Sequence, residues 1–543
     1  MDIAPPSEDT PASKNELSAA QSSCEPCEQD GHDTQYPTGM KLGLIVLALC
    51  LSILTVAVDD TIITTAIPKI TSQFNSLDDV GWYGSAYLLT TSSLQLLFGK
   101  IYTLFDIKLV FLSSVAIFEL GSLICGVANS SLTLIVGRAV AGIGAAAIFS
   151  GALIILASSV PLPRRPFYIG CVGSMYGIAV VAGPLLGGLL TDKLSWRWCF
   201  FINLPIGGVT FLVILKFFQA PPREIEKRSY SERLKSFDFP GVSVFMSAVI
   251  CLLLALQWGG STYSWSNWRV LLLLCMFGVL FIVFLIIQYR QGESAIVPPR
   301  IISDRTVCLC CLFNFCLGSS FIGSIYFLPI WFQAVKGVSA VQSGLMNLPL
   351  LISVVIFCAI TGGLVSLIGY YTPFLFLSAA LLGIGYGLMT TFQLNSPPSI
   401  WIGYQVIAGI GIGFGMQQPV TAVQAALESR DVPVGTVLVT FMETIGGSIF
   451  VLADENIFRK ELVKNLHEYI PSLDPNVILS TGASSIRAVV DSADLAPVLF
   501  SYNNAITSTF VVCSLLSIPA FLGALMMKWK NIKGKNANHL EAS

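Results

Sequence analysis

"LTVAVDDTIITTAIPKI" (Leu54–Ile70) sets two neighbouring carboxylates, Asp59 and Asp60, within a long apolar segment. On insertion scales a charge at the centre of a bilayer costs roughly 2.5–3.5 kcal/mol. A chain that accepts this twice in adjacent positions either keeps the segment out of lipid or makes use of the acids. Composition decides the medium. Of 543 residues, 54% are hydrophobic and 11% are charged, whereas soluble domains carry about 25% charged residues. So few charges cannot cover a soluble core of this size. The chain therefore reads as an all-α integral membrane protein. Its net charge of −2 gives no basis for a nucleic-acid partner. The first forty residues are polar and acidic and lack the apolar stretch of a signal peptide, which predicts a disordered tail over 1–40.

A helix needs about 20 apolar residues to cross a bilayer. Breaks at charges, prolines and glycines divide the chain into fourteen such stretches, of which the second and ninth are the least clean. An even number puts both termini on one side. With the termini cytoplasmic, nineteen Lys/Arg fall in inner segments and five in the short outer loops, namely Lys69, Lys193, Arg197, Arg269 and Lys336. That asymmetry orients both termini to the cytoplasm. Residues 219–238 are charged and of mixed sign and read as a cytoplasmic linker; 454–503 read as a long extracellular loop; 529–543 form a second cytoplasmic tail. Asn129 begins an N-S-S glycosylation sequon on the outer side.

Metal and redox chemistry find little support. Most of the fourteen cysteines are scattered through apolar runs, where they act as small hydrophobes. Cys24 and Cys27 form a C-x-x-C with no second pair, which predicts no zinc site. His32, His467 and His539 all lie outside apolar runs. The sequence thus calls for no metal and no cofactor, and it does not read as an enzyme.

Buried charges are the functional candidates. Asp59 shares a helix face with Ser52 and Thr55, a polar stripe that suits a water-filled cavity. Asp60 points about 100° away and cannot do the same job. An acid hydrated differently in two access states loads and releases a proton; the alternative reading is a structural hydrogen bond to a neighbouring helix. Arg138, in "LIVGRAVAGIGAAA", must be paired or face water. Glu119 and Glu443 are further intramembrane acids, with local pairing as their alternative role. "GSMYGIAVVAGPLLGGLL" holds Gly177, Gly183, Pro184, Gly187 and Gly188. Its small residues let helices approach closely and its proline bends the ladder, as a rocking surface requires. "GIGIGFGMQQP" (Gly409–Pro419) repeats the pattern and ends in Gln417 and Gln418. No strand precedes its glycines and no Walker lysine is present, so ATP is not the energy source expected.

Taken together, these segments resemble the major facilitator superfamily, and more narrowly its fungal fourteen-span drug:proton antiporters, over nearly all of Lys41–Lys528. "VDDTIITTAIPKI" is similar to the first-helix motif, with Asp59 at the motif aspartate, Thr61 and Pro68 in register, and Asp60 on a variable position. "GKIYTLFDIK" (Gly99–Lys108) sits where the superfamily has its gating loop, but Thr103 replaces the usual acid and Asp106 a common glycine. Arg138 and Gly142 match the fourth-helix motif. The glycine-proline run matches the fifth-helix antiporter motif, and "WRWCFFINLPIG" (Trp196–Gly207) is typical of this branch. Glu443 stands where a glutamine is common.

The resemblance implies a major facilitator fold of 6 + 2 + 6 helices: one bundle over 41–218, an inserted pair over 239–304 and a second bundle over 305–528. It implies proton-coupled export of small organic molecules, most sharply a mycotoxin or other secondary metabolite. Asp59, Arg138, Glu119 and Glu443 are the coupling candidates. Trp82, Tyr83, Tyr87, Gln95, Gln417 and Gln418 are candidates for a cavity wall, with packing as their rival role. The expected setting is a monomer in the plasma membrane, the vacuolar membrane being the alternative. A nutrient or siderophore importer on the same scaffold is the first rival reading. A transporter-like receptor is the second, and this chain shows neither large soluble domains nor lost intramembrane charges to favour it.

Overall fold

The computed structural model describes residues 36–533 except 75, 77–78, 221–230, 233–236, 261, 472, 481–485 and 493. Residues 1–35 of the tail expected over 1–40, the Cys24/Cys27 pair, His32, His539 and most of the 219–238 linker lie outside the described residues; the last two positions of that expected tail, Gly39 and Met40, already belong to the first helix.

Among the described residues, fourteen long helices carry the fold: α1 (Gly39–Phe74), α2 (Val80–Leu104), α3 (Ile107–Gly126), α4 (Ser131–Ser159), α5 (Arg165–Lys193), α6 (Asn203–Phe217), α7 (Phe239–Trp258), α8 (Trp268–Gln291), α9 (Arg305–Lys336), α10 (Leu348–Ile368), α11 (Thr372–Met389), α12 (Pro398–Gly415), α13 (Val432–Tyr469) and α14 (Leu495–Leu515). In hydrocarbon each backbone polar group must be satisfied internally, so helices are the available solution for a spanning segment. Side chains close the ends. Asp106 accepts from Leu109 N at 2.8 Å to start α3, and Asp304 accepts from Thr306 N at 2.8 Å and Val307 N at 3.2 Å to start α9. Gly337 and Gly369 take left-handed backbone just past α9 and α10, where a side chain would be strained.

Thirteen helices among the described residues are long and apolar enough to cross a membrane, and the chain is a multi-pass membrane protein. The expected fourteenth span, α2, falls short. Its run Thr90-Thr91-Ser92-Ser93 and its Gln95 and Lys100 lower its apolar character. Ser92, Ser93, Gln95 and Lys100 are buried in protein, which removes the cost that lipid would impose on them.

Helices α1–α6 pack into one bundle and α9–α14 into another; α2 meets α13 and α5 meets α10 along the seams between them. The apolar pair α7–α8 stands apart. α8 packs on α7 and buries only Val270, Phe284 and Gln288. α7 touches both α2 and α13, with Gln257 donating to Ser85 at 2.7 Å and Phe245 meeting Phe441 at 5.5 Å. Within the first bundle, α5 presses on α1 at two glycines. A Cβ at Gly183 would stand 2.0 Å from Thr61 Oγ1, and one at Gly187 would stand 2.2 Å from Thr65 Oγ1. Gly188 faces open space, and Gly177 faces Val355 of α10.

The region expected as a loop over 454–503 is helical at both ends. α13 continues to Tyr469 and α14 begins at Leu495, which leaves 470–494 as the connection. The charged run after Asp454 is helix-compatible because Glu455 and Arg459 pair one turn apart at 2.8 Å.

Candidate functional site

The site grows from Asp59, which is fully buried on α1. Its Oδ2 accepts from Arg138 Nη1 of α4 at 2.5 Å, and its Oδ1 accepts from Asn203 Nδ2 of α6 at 2.9 Å. Arg138 is equally buried. It also donates through Nη1 to the Asp59 carbonyl at 3.3 Å and through Nε to the Tyr83 carbonyl of α2 at 2.9 Å, and its guanidinium lies 4.3 Å from the Tyr87 ring centroid. Asn203 reaches on to Ser122 Oγ of α3 at 3.1 Å. Five helices thus converge on one buried ion pair.

Bringing two opposite charges into apolar surroundings is costly, and such a pair holds only when both ions are well hydrogen-bonded. Here the carboxylate has two side-chain donors. The cation has two carbonyls, a carboxylate and an aromatic face. Removing either charge would leave the other ion buried without its counter-charge, so the pair ties α1 to α4.

Glu119 of α3 stands one turn from Ser122. Both of its carboxyl oxygens are buried without a hydrogen-bond partner among the described residues. Gly207 makes the room, since a Cβ there would fall 1.7 Å from Glu119 Oε1. A cavity of about 10 Å³, enough for about one water, adjoins Glu119 and is lined also by Ser52, Thr55 and Thr210. The polar stripe expected beside Asp59 is therefore the wall of this small chamber. Asp60 is half-buried and stays outside the pair.

Glu443 does not join this cluster. It is half-buried on α13, where Asn314 Nδ2 of α9 donates to its Oε2 at 3.1 Å. The expected cavity-wall residues divide. Tyr83 and Tyr87 are buried supports of Arg138; the Tyr83 hydroxyl donates to Ser131 Oγ at 2.9 Å. Trp82 is half-buried. Gln95 of α2 and Gln417 lie at the seam: Gln95 Nε2 donates to Thr440 Oγ1 of α13 at 3.3 Å, and Gln417 packs on Gly173 of α5. Gln418 is buried, with Oε1 unpartnered among the described residues. Asn129 is exposed and accepts from Arg197 Nη2 at 3.4 Å. Asn203, Ser122 and Asn314 were not anticipated.

A second polar locus ties the bundles near the α2–α3 turn. Lys100 Nζ donates to the carbonyls of Glu293 at 3.2 Å and Ala295 at 2.9 Å. Arg300, just beyond, grips Asp431 in a fork, with Nη2–Oδ1 at 2.8 Å, and donates through Nε to Glu293 at 2.8 Å. These hydrogen bonds raise the Arg300 pKa above the ordinary arginine value. Where the family's loop acid is missing, Thr103 bonds back to the Gly99 carbonyl at 2.9 Å and Asp106 caps α3. The segment after α8 takes up the bridging instead.

Comparison with known proteins agrees with this architecture. The chain is 50% identical to the "MFS-type transporter astH" of Aspergillus oryzae over 92% of its own length and 89% of that protein. It is 48% identical to the "Aspyridones efflux protein" of Neocamarosporium betae over 93% of its length and 90% of that protein. The crystal structure of the human organic anion transporter MFSD10 (TETRAN) superposes with a TM-score of 0.57 at 13% identity, covering 88% of this chain and all of that one. A sequence model described as Major Facilitator Superfamily matches residues 49–451. With bundles, seams and a buried charge cluster in place, the chain belongs to the Major Facilitator Superfamily.

Proposed function

We propose that the protein exports small, largely apolar organic molecules of the secondary-metabolite class in exchange for protons. The observation that carries the reading is the buried pair of Asp59 and Arg138 with Asn203 as its third member. A proton arriving at Asp59 neutralises it, releases Arg138 and loosens α1 from α4. Cargo leaving and the proton departing to the other side restore the pair. One charge crossing 100 mV is worth about 2.3 kcal/mol, and a unit of pH adds about 1.4 kcal/mol, so a proton is an adequate driver. The efflux names of the relatives support the outward direction, and the aspyridones named for one of them support the cargo class. In this reading Trp82, Gln95, Gln417 and Gln418 contact cargo once the bundles part. The protein works as a monomer in the plasma membrane with both termini cytoplasmic.

The test is uphill transport in reconstituted vesicles, with a panel of hydrophobic fungal metabolites as probes. Imposing a pH gradient should drive accumulation of at least one of them, and dissipating pH and voltage should abolish it. Accumulation that survives dissipation refutes the proton coupling.

A further inference from the structure

Asp454 lies eleven residues beyond Glu443 on α13. At 100° and 1.5 Å per residue the two acids share a face to within about 20° and stand about 16 Å apart along the axis. Asp454 is fully buried, and neither carboxyl oxygen has a hydrogen-bond partner among the described residues. It lies level with the middle of α9. A Cβ at Gly323 would stand 2.9 Å from Asp454 Oδ2, so the absent side chain is what admits the carboxyl. The same Cβ would stand 3.3 Å from Cys513 Sγ of α14, the titratable group that faces Asp454 from that helix.

No ion pair reaches Asp454 among the described residues, and the cations of α2 and α4, which also pack on α13, are engaged elsewhere: Lys100 on the carbonyls of Glu293 and Ala295, Arg138 on Asp59. α14 holds no charged residue, and α9 holds only Arg305 and Lys336, at its two ends. Tyr326 is the next titratable group on α9, and it faces Glu455 and Arg459, which pair with each other at 2.8 Å. α7, which also touches α13, carries no charge. An ionised carboxylate with no donor and no counter-ion in such surroundings costs several kcal/mol, and the group escapes that cost by keeping its proton. Arg138 does for Asp59 what no described residue does for Asp454.

We propose that Asp454 is a proton-binding site of the second bundle, holding its proton while α13 is packed on Gly323 and exchanging it with water when that contact opens. The binding site stands on its own geometry; its use in transport rests on the proton-coupled reading above.

Infrared difference spectroscopy of the full chain in lipid nanodiscs tests this, with wild type compared against Asp454→Asn. The expected result is the loss of one protonated-carboxyl C=O band that is present in the wild type at neutral pH, fades at alkaline pH and shifts in D₂O. Two results would overturn the proposal: no band lost in Asp454→Asn, meaning the group is ionised, or a lost band that neither titrates nor exchanges, meaning a permanent structural acid. Should Asp454→Asn fail to fold, Gly323→Ala serves, because its methyl must displace the carboxyl and move the same band; an unmoved spectrum counts against the site. Vesicle transport separates the two claims. A titrating Asp454 band in a protein without pH-driven efflux sinks the transport reading alone, and pH-driven efflux with no such band sinks the site alone.

Discussion

The side-chain amide of Asn203 donates to Asp59 Oδ1 at 2.9 Å, joining positions 144 residues apart and fixing one oxygen of the carboxylate while Arg138 fixes the other. A hydrogen bond to a charged group is worth about 1.5–3 kcal/mol. Asn203→Ala should therefore cut pH-driven efflux by at least tenfold with the protein still folded, as size-exclusion and vesicle flux assays would register. Asn203→Asp, which sets a second acid against the first, should be the more damaging of the two.

Breaking a buried pair by removing one partner costs about 3–5 kcal/mol, whereas removing both is far milder. Asp59→Asn and Arg138→Gln should each lower thermal stability in detergent, and the double variant should recover most of the loss. Coupled transport should be absent from all three. Recovery of stability without recovery of transport would show that the pair serves the coupling and not only the fold.

The α2–α13 seam permits a lock. A Cβ at Gly99 would lie 3.1 Å from Val437 Cβ, closer than the roughly 3.5–4.5 Å that a disulfide spans, so the two helices must ease apart by a few tenths of an ångström to seat the bridge. In a cysteine-free background, Gly99→Cys with Val437→Cys should cross-link under mild oxidation and stop transport, and a reductant should restore it. Unimpaired transport by the cross-linked protein would mean that this seam does not open during the cycle.

One short motif should give opposite outcomes at neighbouring positions. Gly187→Val drives a branched side chain into Thr65 and Ile62 of α1 and should abolish surface expression or activity. Gly188→Ala meets nothing within 4 Å and should be tolerated. Uptake assays with an expression blot separate the two.

The charged members of the site were legible because a charge in an apolar run stands out whatever its surroundings. Asp59 and Arg138 announced themselves in this way, and their helices then had to meet. Asn203 was not legible: it is neutral, it sits in a run of large apolar residues, and its value arises only from the approach of α6 to α1 and α3. Asp454 was hidden for the reverse reason. It heads the charged run "DENIFRKE", which reads as the start of a loop, while the i,i+4 pairing of Glu455 and Arg459 keeps the run helical. Tyr83 and Tyr87 suggested a cargo-facing wall. The Tyr87 ring faces the Arg138 guanidinium, while Tyr83 lends Arg138 its backbone carbonyl and donates its hydroxyl to Ser131. The polar residues of α2 blurred its span in the sequence, and the structure turns several of them into the protein.

The placement of α7 gives the molecule two unlike flanks. That helix packs on both α2 and α13 where those two helices meet, while α5 and α10 pack directly on each other along the second seam. The two seams are thus unlike: the α2–α13 seam is shared with a helix of the inserted pair, and the α5–α10 seam is built from the two bundles' own helices.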